Sequence, residues 1–196
     1  MSYIKKYLFF IPLCVCCYIG YTQNSDTIFW NKSYRLKFDD FKSTPDFDNE
    51  IAKAISYLGF TLPSYVKNDT IYINLNSYFV KKKSWFIKEK KASNEDKNLL
   101  AHEQGHFDIK EISIRKFKKT LMLMSFNSFK QFNENYSSLI KKLELEDSQL
   151  QKQYDKETDL SRNVLKQKEW NIRIAKELKE LENYSSSIIK IPLKKK

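Results

Sequence analysis

The chain contains only two histidines, His102 and His106, and they lie four residues apart in the segment HEQGH. Apolar residues at 99–101 and Phe107 flank this segment at helical spacing. Four residues turn an α-helix by about 400°, so two side chains at that spacing project from nearly the same face. The segment is therefore predicted to be a helix that presents two imidazoles side by side.

This spacing lets two imidazole nitrogens reach one Zn²⁺ ion at about 2.0–2.1 Å each. Glu103 follows the first histidine, so its carboxylate can act as a general base on a zinc-activated water and then carry the proton to the leaving amine. Gly105 leaves room beside the metal, at a helix-propensity cost of about 1 kcal/mol. The segment thus predicts His102 and His106 as metal ligands, Glu103 as the catalytic residue and Zn²⁺ as the cofactor. The alternative is an incidental pair of surface histidines.

The N-terminus is typical of a secretory signal peptide. Lys5 and Lys6 precede an apolar run over residues 7–20, and a polar stretch over 22–26 follows at once. This run is short for a membrane-spanning helix, which favours a cleaved signal peptide over an uncleaved anchor. We predict a protein that is exported to the periplasm or the extracellular space.

All three cysteines, Cys14, Cys16 and Cys17, lie within the apolar run. Cleavage near Thr22 would leave a chain with neither disulfides nor thiolate ligands, so any metal would be held by His, Asp, Glu or water. We divide the chain into a signal peptide over 1–22, one zincin-like metallopeptidase domain over 23–185 and a frayed basic tail over 186–196.

The chain carries 35 Lys and Arg against 24 Asp and Glu, for a net charge of +11. Such a charge permits binding to nucleic acid or anionic lipid. The lysines are interleaved with glutamates, however, and the short clusters at 81–83 and 194–196 accompany no nucleic-acid motif. We therefore interpret them as a solvated surface and expect no nucleic-acid partner. Membrane contact is expected only if the N-terminal segment stays uncleaved.

The two halves of the chain differ in their predicted secondary structure. Strands are predicted over 27–30, 34–38, 70–76 and 84–87, whereas 50–58 is ambiguous between helix and strand. Ser93 and Asp96 predict a helix start, followed by helices from 93 to about 124, through 132–154 after a break at Asn127 and Ser128, and over 162–184. The fold class is therefore α+β, with a small, mostly antiparallel sheet on one side of the HEQGH helix and the later helices on the other.

Several longer blocks go beyond a general zinc-protease motif. They are LLAHEQGHFDI at 99–109, LKFDDF at 36–41, Ser84-Trp85, YDKET at 154–158, and Gln167 with Trp170. Together they resemble a family of bacterial secreted proteins of unknown function that are assigned by similarity to zinc-dependent proteases (domain-of-unknown-function family 922). Phe38 stands where that family has Trp. The resemblance covers about residues 30–170 and implies a zincin-like fold with a polypeptide substrate.

The family continues its YDxET block with a histidine that would be a third zinc ligand, and this chain has Leu160 there. A catalytic zinc ion normally has three protein ligands and a water, so the third must be a carboxylate or the site is weakened. The candidates are Asp155, Glu157, Asp159 and Glu146. Glu111 lies about 140° round the helix from His106 and is not expected to reach the metal.

The resulting prediction is a secreted zinc metallopeptidase in which Glu103 is the general base. One alternative is a zincin-fold pseudoenzyme or cell-envelope binding module that has lost its third ligand at Leu160. Another is a basic envelope protein that binds anionic polymers and in which the histidines are incidental. Tyr154 could donate a hydrogen bond to an oxyanion or pack in the core.

Overall fold

The computed structural model describes residues 26–48, 52–88 and 90–194. The predicted signal peptide over 1–22 lies outside these ranges. The described residues form eight β-strands, mostly in the N-terminal half, and three α-helices in the C-terminal half. The mixed α and β class is therefore confirmed. None of the helices in the described part of the chain is long and apolar enough to cross a bilayer.

The elements follow one another in a simple order along the chain. The strands are β1 (Thr27–Phe29), β2 (Ala54–Ile55), β3 (Leu58–Phe60), β4 (Ser64–Lys67), β5 (Thr70–Asn74), β6 (Ser77–Val80), β7 (Trp85–Phe86) and β8 (Ile188–Pro192). The helices are α1 (Asn94–Leu123), α2 (Phe129–Thr158) and α3 (Val164–Glu180). Within the described ranges the strands form three small sheets, ordered β1-β6-β3, β2-β7 and β4-β5-β8, and each of these pairings is antiparallel.

Helix α1 lies at the centre of the fold. One side packs Ile114 and Leu121 against the isoleucines of β5 and β8. Another side packs Ile109 and Ile112 against side chains of α2 and α3, including Trp170. The sheet β4-β5-β8 therefore lies on one side of the helix and α3 on another, as predicted. The first half of α2, which was expected on the side of α3, packs with this sheet instead. Side chains therefore pack against this helix from two sides.

The helix termini are capped by the residues that the sequence suggested. The Ser93 side chain accepts a hydrogen bond from the Asp96 backbone N–H at 3.0 Å, and Asp96 accepts one from the Ser93 N–H at 2.8 Å. Ser128 caps α2 in the same way, by accepting from the Gln131 N–H. Each bond satisfies a backbone donor that a helix start leaves without a partner. The predicted start of α1 and the predicted break at Asn127 and Ser128 are both confirmed.

The strand predicted over 34–38 is wrong. The Asp40 carboxylate accepts hydrogen bonds from the Lys37 backbone N–H at 2.9 Å and from the Tyr34 hydroxyl at 2.7 Å. These bonds close a turn, and Phe38–Asp40 forms one turn of 3-10 helix. The Leu36 N–H donates instead to the Gln104 side chain on α1. The segment thus packs on the HEQGH helix without joining a sheet.

The frayed tail predicted after Ser185 is also wrong. Residues Ile188–Pro192 form β8, which pairs along the whole length of β5. Ile189 and Ile191 face inward and are buried in the core beside Ile71 and Ile73. Exposed and buried residues alternate over the five positions of β8, which is the pattern of a strand with one face in the core. In the sequence, the strand is followed closely by Lys194, Lys195 and Lys196, and the whole segment was therefore interpreted as a basic tail.

Replacing Ile189 by alanine is expected to lower the free energy of unfolding by about 2–5 kcal/mol, because the change leaves a cavity in the core. The matched control is Ile188→Ala, at a neighbouring position of the same strand that is 45% exposed. The control should lower it by less than about 1 kcal/mol. Urea denaturation of both variants measures the difference. Equal stability of the two variants would show that β8 does not belong to the core.

Candidate metal centre

Helices α1 and α2 bring three ligand atoms to one point. The Asp155 Oδ1 atom lies 3.1 Å from His102 Nε2 and 2.9 Å from His106 Nε2. The two Nε2 atoms are themselves 3.1 Å apart. Bonds of about 2.0–2.1 Å in a tetrahedral site place ligand atoms about 3.3 Å from one another. The three residues therefore form a group that could hold a metal ion.

Two glutamines fix the orientation of the imidazole rings. Gln167 Oε1 lies 3.1 Å from His102 Nδ1, and Gln151 Oε1 lies 2.6 Å from His106 Nδ1. The amide nitrogens are engaged elsewhere, since Gln167 Nε2 donates to the Tyr154 hydroxyl and Gln151 Nε2 donates to the His106 carbonyl. Each Nδ1 is therefore the ring's N–H donor.

In the neutral imidazole only one ring nitrogen carries a proton, so both Nε2 atoms present lone pairs. The two Nε2 atoms lie against each other and against Oδ1 of Asp155, which is also a hydrogen-bond acceptor. Three acceptors at this distance need a positive charge among them. Either a metal ion or a proton can supply it, and an outer hydrogen bond that fixes the tautomer is typical of metal-ligating histidines.

The electrostatics also favour a cation at this point. Burial alone would lower the pKa of His106, but the contact with Asp155 and the charge of Glu103 raise it above its ordinary value. Burial alone would raise the pKa of the Asp155 carboxyl, but its contacts with His102 and His106 hold it well below its usual range. Asp155 is therefore ionised, and the centre attracts positive charge.

Tyr154 packs against both histidine rings of the centre. Its ring stacks on the His102 ring at 4.5 Å between centroids and meets the His106 ring edge-on at 4.9 Å. Its hydroxyl accepts from Gln167 and donates to the His102 backbone carbonyl at 3.2 Å. Burial raises the pKa of this phenol well above its usual range. Tyr154 is thus the packed core tyrosine of the two roles considered above, since its proton is already donated inside the protein.

Gly105 makes room for this tyrosine. A Cβ atom at position 105 would overlap the Tyr154 hydroxyl and lie 2.7 Å from Cζ of the same ring. The sequence predicted that the missing side chain leaves space beside the metal, and the space is in fact taken by Tyr154.

Replacing Gly105 by alanine is expected to destabilise the protein by about 1–3 kcal/mol, because overlap with a packed ring outweighs the better helix propensity of alanine. Chemical denaturation measures the change. In a Tyr154→Phe background, which lacks the overlapping oxygen, the same Gly105→Ala change should cost less than it does in the unchanged protein. A stabilised Gly105→Ala variant would contradict this packing.

Glu103 lies beside the metal group and faces the same cleft. It is buried, and its Oε2 atom accepts a hydrogen bond from the Ser56 hydroxyl at 2.5 Å. The cleft has a volume of about 750 Å³ and is lined by β2 and its neighbours, by the first turns of α1 and by residues 160–164. His102, His106 and Asp155 line it as well. A carboxylate fixed by Ser56 therefore shares an open cleft with the ligand atoms.

The structure brings only one of the four candidate third ligands to the histidines. Glu157 accepts from the Trp170 indole N–H, Asp159 pairs with Arg162, and Glu146 pairs with Lys142. Glu111, which was not expected to reach the metal, accepts from Ser77 and Arg115 instead. The carboxylate at the centre is Asp155.

Leu160, at the position where a histidine was expected, lines the same cleft. It lies in a turn between α2 and α3 in which Asp159, Leu160 and Ser161 all have positive φ. This turn holds Asp159 on the outside, where its side chain is exposed. The turn explains why Asp159 does not reach the two histidines.

Two contributors to the site, Gln151 and Ser56, were not predicted from the sequence. Gln151 lies four residues before Asp155, so the helical spacing of α2 could have placed it beside a ligand once Asp155 was chosen. Ser56 precedes β3 by two residues, in the part of the chain left ambiguous, and nothing in its sequence context indicates contact with Glu103. Gln167 was noted only as part of a family-like block.

Comparison of the chain with protein-family models, with curated proteins and with solved structures gave no match.

Proposed function

We propose that the chain is an exported zinc-dependent peptidase, in which His102, His106 and Asp155 hold the metal and Glu103 is the general base. The main support for this proposal is that Nε2 of His102, Nε2 of His106 and Oδ1 of Asp155 lie within 3.1 Å of one another. Two imidazoles and one carboxylate form a set that suits a catalytic zinc ion, with a fourth position open for water. Because Asp155 occupies the third position, the absence of a histidine at Leu160 no longer argues against catalysis.

A zinc ion held there would supply an activated water and polarise the scissile carbonyl. The chain itself supplies the proton acceptor. Glu103 accepts the proton on one carboxylate oxygen while Ser56 holds the other, and Glu103 then delivers the proton to the leaving amine. Gln151 and Gln167 hold the imidazoles so that their Nε2 atoms stay unprotonated and directed at one point.

A strand at the wall of the cleft favours a polypeptide substrate. Among the described residues, β2 pairs with β7 alone, and its residues Ala54 and Ile55 line the cleft. An extended peptide can add to such a strand through backbone hydrogen bonds, which do not depend on side-chain identity. A substrate bound in this way would cross the cleft beside Glu103.

The proposed zincin-like fold and the resemblance to the secreted protease-like family are supported by where the family-like blocks lie. The HEQGHFD block contains both histidines and Glu103, and YDKET contains Asp155 and Tyr154. Gln167, from the block that also contains Trp170, contacts both His102 and Tyr154. Blocks that are distant in sequence thus meet at one site. Export, predicted from the N-terminal segment, belongs to the same proposal.

Metal analysis together with a hydrolysis assay tests the proposal. The purified protein is expected to bind one zinc ion per chain, and to cleave an unfolded protein such as casein in a reaction that a chelator stops and zinc restores. Failure to bind zinc at micromolar concentration, or preferential binding of iron, would contradict it. One bound zinc ion without cleavage would favour the alternative, a pseudoenzyme or binding module that keeps the metal.

A further inference from the structure

A second cavity lies further along α1, between this helix and the turn that follows α3. It has a volume of about 230 Å³ and is lined in part by Glu111, Arg115 and Lys118 of α1, by Trp30, and by Glu182 and Ser185. It contains none of the proposed metal ligands. The buried charged groups around it have no part in the proposed catalysis.

Arg115 is almost completely buried at one wall of this cavity. Its Nε donates to Glu111 Oε1 at 2.8 Å, and its Nη1 donates to the Leu178 carbonyl at 3.0 Å. The same Nη1 lies 3.5 Å from Oε2 of Glu182, which is half exposed at the rim of the cavity. The second oxygen of Glu111 accepts from the Ser77 hydroxyl at 2.6 Å. The carboxylate of Glu111 is therefore already engaged on both oxygens.

Lys118 is the group that this network leaves without a counter-ion. Its side chain is buried, and its Nζ donates to the Ser186 backbone carbonyl at 2.8 Å. Within the described residues, no carboxylate oxygen lies within 4.0 Å of that nitrogen, whereas Arg115 and Lys110 each have such a partner. An ammonium group with three donors thus has one protein acceptor and borders an open space.

A buried, unpaired ammonium is unfavourable, because burial removes the water that solvates its charge. Burial lowers the pKa of Lys118, and the nearby charge of Arg115 adds to this effect, although Glu111 opposes it. The lysine can either lose its proton or gain an anion. The cavity lies beside both cations, and its lining of Lys32, Arg115 and Lys118 against Glu111 and Glu182 leaves one positive charge in excess.

We propose that this cavity is a binding site for a small oxyanion, held between Lys118 and Arg115. The shared chemistry is that of phosphate, sulfate or a carboxylate group, each of which accepts charge-assisted hydrogen bonds from both side chains. The space is sufficient for one such group. The cavity contains none of the proposed metal ligands. Anion binding can therefore be present or absent whether or not the protein is a peptidase.

Anion titrations of the full protein at constant ionic strength test this site. Inorganic phosphate, sulfate and acetate are added separately, with chloride as the reference. At least one oxyanion is expected to raise the thermal unfolding midpoint in a saturable way, as a ligand that binds only the folded state does. A preference for acetate would identify a carboxylate group as the natural ligand, and a preference for phosphate or sulfate would identify a free tetrahedral anion.

Two lysine variants locate the site. Lys118→Met is expected to weaken the binding of the oxyanion at least about tenfold, because it removes a charged hydrogen-bond donor. Lys119→Met is the matched control, since it removes the same charge from an exposed neighbour that does not line the cavity. The control should bind the anion as the unchanged protein does. Circular dichroism shows whether each variant is folded.

Phosphorus NMR of inorganic phosphate with the unchanged protein provides a measurement that does not depend on any variant. Saturable broadening or shifting of the phosphate signal would support the site if phosphate is the preferred anion. The proposal is overturned if none of the three oxyanions stabilises the protein beyond the chloride reference. Equal loss of binding in Lys118→Met and Lys119→Met would overturn it too, because it would indicate general attraction to a basic surface.

Discussion

Replacing Glu103 by glutamine is expected to abolish peptide hydrolysis while one zinc ion stays bound. The amide has nearly the same shape as the carboxylate and can still accept the hydrogen bond of Ser56. It cannot accept a proton from water, so the general-base contribution of about 10²–10⁴-fold is lost. The ratio kcat/KM on a peptide substrate and the zinc content of the same sample measure the two parts of this expectation.

The matched control is Glu146→Gln, which removes a carboxylate that is exposed and paired with Lys142. This change should leave kcat/KM within about twofold of the unchanged protein, since surface substitutions of this kind have small effects. If Glu103→Gln kept more than about a tenth of the activity, Glu103 would not be the base. Loss of zinc in that variant would place Glu103 among the ligands.

Replacing Asp155 by alanine is expected to weaken zinc binding by more than about 100-fold and to remove activity with it. Loss of a residue that only orients a ligand typically costs 10–100-fold in affinity, so loss of a ligand itself should exceed that range. Zinc titration against a competing chelator measures the affinity. The control is Asp159→Ala, which removes a carboxylate four residues later that is exposed and paired with Arg162.

The two aspartates distinguish the competing assignments of the third ligand. A larger loss in Asp159→Ala than in Asp155→Ala would move the metal to the turn before α3. The variant Leu160→His adds a further test, because it restores the histidine expected from the family resemblance. If the double variant Leu160→His/Asp155→Ala bound zinc as tightly as Leu160→His alone, Asp155 would not be a ligand. A gain that depends on Asp155 would mean only that the new histidine takes the fourth position.

The helical part of the fold was predictable because its signals are local. Ser93 and Ser128 mark helix starts by capping chemistry that acts over three residues. The apolar spacing of the later helices follows from packing on one face. The sequence therefore predicted three helices in the C-terminal half, and all three are present with shifts of a few residues at their ends.

The strands were less predictable because their partners are distant. Strand β8 pairs with β5, more than a hundred residues earlier, so no local pattern indicates that the C-terminal segment belongs to the core. Strand β4 was missed although Asn68 and Asp69, both with positive φ, form a two-residue connection to β5 that is typical of a hairpin. That signal was available in the sequence.

The candidate site also combines a part that local sequence predicts with a part that depends on long-range packing. The histidine pair and Glu103 follow from one local motif. The third ligand depends on how α2 packs across α1, which separates Asp155 from Asp159 although both lie one helical turn apart in the sequence. Helical spacing alone could not distinguish them, because Asp159 lies just after the end of α2, where the backbone adopts a left-handed conformation.

A crystal structure of the zinc-soaked protein, with anomalous diffraction measured at the zinc edge, tests the central claim most directly. We expect one anomalous peak bonded to Nε2 of His102, Nε2 of His106 and a carboxylate oxygen of Asp155, with each bond at about 2.0–2.2 Å. The absence of a peak between these three side chains, or a zinc ion held by the histidines with a different third residue, would contradict it.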